Sequence, residues 1–154
     1  MVKPTVRGGI SDMKKEMPEK TKKSSFHLTI STNQKYADDD PHLQNDSEVF
    51  DEVMSDILNN IEHYVKLPEG HSWDAVKDAD IDYIVERGKH KQGSRLHAHV
   101  LFRFNHRTKL QLDYQKIKDK ICGELGLHDV YLHNRLVRPT EGQNILSYLS
   151  KYET

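Results

Sequence analysis

Apolar and polar residues alternate without a break along Leu96-His97-Ala98-His99-Val100-Leu101-Phe102-Arg103-Phe104, except at Leu101. Side chains two apart in a strand share a face. This pattern therefore predicts a strand that buries Leu96, Ala98, Val100, Phe102 and Phe104 and turns His97, His99 and Arg103 the other way. Phe26 to Ser31 alternates likewise, with Phe26, Leu28 and Ile30 opposite His27, Thr29 and Ser31. In a third strand, Ile81 to Glu86, the apolar set is Ile81, Tyr83 and Val85, which leaves Asp82, Ile84 and Glu86 together. Val130 to Val137 reads as a fourth.

Between the strands the period changes to that of a helix. Val49, Phe50, Val53, Met54, Ile57, Leu58, Ile61, Tyr64 and Val65 form a stripe over residues 47–65, started by Asp46 or Ser47 and closed by Pro68 and Gly70. A second helix covers 112–125, with Leu112, Tyr114, Ile117, Ile121 and Leu125 and a stop at Gly126. A third begins near Glu141 or Gly142 and carries Ile145, Tyr148, Leu149 and Tyr152. Arg87 to Arg95, rich in Gly and Lys, joins the second and third strands. The order β-α-β-β-α-β-α predicts an α+β fold, a ferredoxin-like or RRM-like antiparallel sheet with helices on one face and an active site on the open face. Residues 1–24 sustain no apolar period and read as a flexible basic arm, which leaves 25–154 as the folded domain.

Charge adds a direction to this plan. The net charge of −1 conceals three blocks: seven Lys/Arg against three Asp/Glu in residues 1–25 (+4), three against fourteen in 26–84 (−11), and thirteen against seven in 85–154 (+6). A basic block that opens beside the His-x-His strand suits a polyanion. Asp38-Asp39-Asp40 has no calcium-loop spacing and reads as a solvated loop. The chain contains no run of about 18 apolar residues and its start lacks the apolar core of a signal peptide, so an intracellular protein without a membrane span is expected. One cysteine, Cys122, excludes both an internal disulfide and a cysteine-based zinc site.

Parity carries the candidate chemistry. If the second and third strands form a hairpin, Glu86, His97 and His99 share the open face. Two imidazoles and a carboxylate suit Mg²⁺ or Mn²⁺ with positions left for water and a phosphate oxygen. A plain cross-strand hydrogen bond between Glu86 and a histidine is the alternative. On the last helix Tyr148 and Lys151 lie three apart, hence on one face, where the cation could lower the proton affinity of an attacking phenol.

Together these residues resemble the HUH endonuclease superfamily, in its Rep-type branch of rolling-circle replication initiators of single-stranded DNA viruses and related replicons. Three ordered motifs carry the resemblance, over about residues 25–152: Phe26-His27-Leu28-Thr29-Ile30-Ser31-Thr32-Asn33, a loose match, then His97-Ala98-His99, then Tyr148-Leu149-Ser150-Lys151. The acidic helix-bearing insert between the first two strands is longer than in the smallest viral members. The resemblance implies a single-stranded DNA endonuclease and ligase that nicks a replication origin. Tyr148 would be the nucleophile, assisted by Lys151, with Mg²⁺ or Mn²⁺ held by Glu86, His97 and His99. Thr29, Ser31, Lys89, Lys91, Arg95, Arg103 and Arg107 would bind the DNA. It further implies an origin stem-loop as partner, a 5′-phosphotyrosine intermediate with a free 3′-hydroxyl, a helicase domain in a longer protein from which this part is excised, and the host nucleus or otherwise the cytoplasm as location.

Two rivals share the fold. An RRM-like or origin-binding module without nickase activity would stack bases on strand-borne aromatics, yet Phe102 and Phe104 take the buried parity. A single-tyrosine transposase would need a different element order and a dimeric site.

Overall fold

A computed structural model of the chain describes residues 4–10, 24–37, 40–66, 79–90, 93–104 and 111–137. The strands are β1 (Thr5–Ile10), β2 (Ser24–Tyr36), β3 (Val65–Lys66), β4 (Asp80–His90), β5 (Gly93–Phe104), β6 (Gln111–Leu112) and β7 (Tyr131–Val137). The helices are α1 (His42–Asn59), followed by a 3₁₀ turn at Ile61–His63, and α2 (Tyr114–Leu125). Five strands form one mixed sheet in the order β1-β4-β5-β2-β7, and β3 pairs with β6 in a small ribbon. The fold is α+β. No helix among the described residues is long and apolar enough to cross a membrane. The expected last helix, with Tyr148 and Lys151, lies outside the described residues.

The alternation of the sequence becomes the two faces of this sheet. Leu28 and Ile30 of β2, Ile81, Tyr83 and Val85 of β4, and Leu96, Ala98, Val100 and Phe102 of β5 are all buried. They join Phe50, Val53, Met54, Ile57 and Leu58 of α1 and Ile117 and Ile121 of α2 in one core. Tyrosines bolt α1 to the sheet: the Tyr83 hydroxyl donates to Asp51 at 2.8 Å and the Tyr36 hydroxyl to Asp46 at 2.7 Å. Lys120 of α2 reaches Asp56 of α1 at 3.5 Å.

Helix boundaries moved for identifiable reasons. The first helix starts at His42 rather than after Asp46, because Pro41 pre-sets a helical φ of −66° and Asp40 Oδ1 accepts the His42 N–H at 2.9 Å. Asp40 of the acidic loop is thus a helix-starting residue, while Ser47 sits inside the helix and donates to Leu43 O. The helix stops at Asn59, short of the apolar stripe. The Asn59 and Asn60 side-chain amides donate to the carbonyls of Ser55 and Asp56, and such local bonds compete with helix continuation. The second helix is capped by Asp113, which accepts the Lys116 N–H, and ends at Gly126 with φ of 66°.

Within the expected N-terminal arm, Thr5–Ile10 forms an edge strand parallel to β4, from Thr5 opposite Asp80 to Ile10 opposite Val85. This corrects the reading of residues 1–24 as wholly flexible. Glycines at 8 and 9 suggest a loop, but Gly8 lies against the Tyr83 ring, and a Cβ there would collide with it. The glycine is what lets the backbone approach the aromatic face. Val6 and Ile10 pack on the core.

Burial, and then the hydrogen bonds to Asp51 and Asp46, push the Tyr83 and Tyr36 hydroxyls well above their ordinary value. Their folded pKa lies above the unfolded one, so the stabilisation is complete below about pH 10 and is lost as the pH climbs beyond it. Tyr83→Phe is expected to cost about 1 kcal/mol near neutrality and to flatten the alkaline decline, read by urea unfolding at about pH 7 and about pH 10.5. An unchanged alkaline slope contradicts the assignment.

Candidate metal and nucleic-acid site

Strand register brings the expected ligands together. On the sheet face away from α1, one transverse row runs Glu86 (β4), His97 (β5), Ser31 (β2), Tyr131 (β7). The next row is Ile84, His99, Thr29, His133, and the third is Asp82, Leu101, His27, Arg135. Thr29 and Ser31, both expected at the DNA, therefore stand beside His99 and His97.

Around the expected ligands, the contacts centre on His99. Its Nε2 is 3.1 Å from Glu86 Oε2, and its Nδ1 is 3.2 Å from His27 Nε2. The two rings lie edge to edge, with centroids 5.4 Å apart and planes 27° apart. Thr29 Oγ1 is 3.4 Å from His27 Nε2. The Glu86 and His99 side chains are 20% and 19% exposed, sheltered yet within reach of a ligand.

Two donors 3.1 Å apart suit a shared ion, since ligands at about 2.1 Å and right angles lie about 3 Å from one another. His97 faces Glu86 across the β4–β5 pairing, where Cβ atoms are about 5 Å apart, within reach of a rotamer change. As the side chains stand, no trio of His, Cys, Asp or Glu among the described residues is gathered to hold an ion. The donor set fits a hard or borderline divalent cation, and its carboxylate–imidazole edge is already formed.

The β4–β5 end of this face beyond His99 is not open. Asp82, Ile84, Leu101 and Arg103 are buried, with Arg103 at 0% exposure. Arg103 pairs with Asp82 Oδ2, while Arg7 Nε of β1 donates to Oδ1 of the same carboxylate at 3.0 Å. That bond to Asp82 raises the Arg7 guanidinium above its usual value. Arg103 is thus a structural ion-pair partner rather than the phosphate-binding residue expected of it. Leu101, next to Arg103, breaks the polar alternation and already hinted that this end of the face is apolar. Lys89 and Arg95 lie on β4 and β5 by backbone position, with Arg95 opposite Gly88. Lys91, Arg107, Tyr148 and Lys151 lie outside the described residues.

Two residues escaped sequence reasoning. His27 had the right parity and lay within the loose first-strand motif, but nothing there set it apart from Thr29 and Ser31. Tyr131 is 60% exposed on this same face, and its strand was read from apolar content alone. Comparison with family models, curated proteins and solved structures finds no match to this chain.

Removing the Asp82 charge takes from the buried Arg103 its carboxylate counter-charge. Asp82→Asn is expected to destabilise the fold by about 3–5 kcal/mol, measured by chemical denaturation. A loss under about 1 kcal/mol means that Arg103 has adequate solvent or another partner.

Proposed function

We propose that this chain is a metal-dependent, single-stranded DNA nicking and rejoining domain of the HUH type. The observation that carries the reading is the meeting of Glu86 with His99, in a row adjacent to His97, on one sheet face from two separate strands. The antiparallel part of the sheet runs β4-β5-β2-β7, an order compatible with the ferredoxin-like layer this reading requires.

Glu86, His97 and His99 would hold Mg²⁺ or Mn²⁺, and a bound ion supplies Lewis-acid polarisation of the scissile phosphate. The chain's own groups do the remainder. Thr29 and Ser31 offer hydroxyls beside the imidazoles to orient a phosphodiester. Tyr131 offers an exposed ring two strands from His97, about 10 Å away, which suits a base one or two nucleotides from the cut. Tyr148 Oη attacks phosphorus as its proton leaves, the bond from phosphorus to the 3′ oxygen breaks, and that oxygen departs as a hydroxyl. Lys151 offsets the developing phenolate charge. The phosphotyrosine bond keeps the energy of the phosphodiester, so a 3′-hydroxyl can reverse the step. An origin stem-loop is the substrate class, and a helicase region elsewhere in the polypeptide is the expected partner activity.

The second reading, a single-stranded nucleic-acid binding module without cleavage, is favoured by Tyr131 alone. An aromatic does stand on the sheet face, where Phe102 is buried.

Incubation with a single-stranded origin stem-loop and Mn²⁺, followed by a denaturing gel, separates the two. A covalent protein–DNA band is expected. It should vanish with EDTA, with His97→Ala/His99→Ala and with Tyr148→Phe, the last leaving DNA binding within a few-fold of the parent. Adducts that persist in Tyr148→Phe overturn the nucleophile, and binding without any adduct supports the second reading.

A further inference from the structure

Each imidazole nitrogen of His99 has a separate partner, and the two partners make incompatible demands as the site changes state. Glu86 Oε2 faces Nε2 and His27 Nε2 faces Nδ1. A carboxylate accepts, so with no ion present Nε2 of a neutral His99 carries the hydrogen. Nδ1 is then an acceptor and His27 must donate from its Nε2. When Nε2 of His99 gives its lone pair to a cation, the hydrogen moves to Nδ1, and His27 Nε2 must accept instead.

We infer that His27 is the positioning residue of the metal centre, a partner that meets His99 edge to edge through a nitrogen-to-nitrogen hydrogen bond, fixes its ring plane and reverses its own tautomer when an ion is taken up. This rests on the reading of Glu86, His97 and His99 as ligands and extends it to a residue outside that set. Three contacts fit His27 for the role. The near-coplanar, edge-to-edge approach of the two rings aligns their nitrogens and resists rotation of His99 about its χ2 bond. The nitrogen-to-nitrogen bond of 3.2 Å sets which edge of His99 faces Glu86. Thr29 Oγ1, 3.4 Å from the same His27 nitrogen, is a hydroxyl that can turn to accept or donate in either state. A carboxylate in place of His27 would lock one direction of bonding; an imidazole, donor or acceptor as required, does not.

The test uses two variants and one spectroscopic readout. His27→Phe keeps a ring of similar size but has neither donor nor acceptor; His27→Gln keeps a polar group that can donate or accept. By calorimetric titration with Mn²⁺, His27→Phe should bind about 10–100-fold more weakly than the parent, and His27→Gln should recover most of that loss. Thermal unfolding of both confirms that the fold persists. In ¹⁵N spectra of the parent chain, metal-free His99 should be protonated at Nε2 and His27 at Nε2. Zn²⁺, a diamagnetic probe, should move the hydrogen of each ring to Nδ1. Unaltered Mn²⁺ affinity in His27→Phe, or a His27 tautomer indifferent to Zn²⁺, overturns the inference while leaving the ligand assignment standing. A parent chain that takes up no Mn²⁺ overturns both.

Discussion

The pairing register of β4 with β5 is the constraint on which core and site both depend. Ile81, Tyr83 and Val85 oppose Phe102, Val100 and Ala98, and the same ladder sets Glu86 opposite His97. A slip by one residue would send every apolar side chain of one strand to the wrong face, and it would also part the carboxylate from the imidazoles. The free energy that holds the site together is therefore mostly hydrophobic burial on the opposite side of the sheet. Leu96, Ala98, Val100 and Phe102 are each almost wholly removed from water, and each large side chain among them contributes about 1.5–3 kcal/mol. A cross-strand hydrogen bond alone, at about 1 kcal/mol, could not fix the register.

The polar face divides into two territories with different physics. Around Asp82 and Arg103 charges are buried and mutually neutralised, which suits rigidity and leaves nothing for a ligand. Around Glu86, His97 and His99 the side chains are only partly sheltered, and imidazole nitrogens face one another and a carboxylate. Ile84 and Leu101 stand between them, buried on the same face. Such a low-dielectric border strengthens whatever electrostatic contact forms beside it.

Much of this was legible in the alternation itself. The strand parity of Leu28, Tyr83 and Val100, and the meeting of Glu86 with the histidines, follow from period-two counting. The stop at Gly126 follows from glycine's access to positive φ. What was not legible depended on tertiary partners. Residues 5–10 are too glycine-rich to look like a strand, and become one through the Tyr83 ring and the Asp82 carboxylate. Arg103 looks like a surface cation until its neighbour Asp82 is known. Polar parity grouped His27 with Thr29 and Ser31 but gave it no role of its own, because only pairing between β2 and β5 shows it touching His99. The boundaries of α1 were missed because the apolar stripe runs past the asparagines that end it.

The edge position of β1 bears on how the polypeptide can be trimmed. Its residues look dispensable, yet they cover the rim of β4 and bring Arg7 to the Asp82 carboxylate. A shortened protein lacking the first ten residues would offer an uncovered strand rim with free amides and carbonyls to any neighbouring molecule, an invitation to sheet-to-sheet association. It would also leave Arg103 as the sole guanidinium on a carboxylate designed for two. Poor solubility in such a shortened protein would then be a matter of exposed backbone.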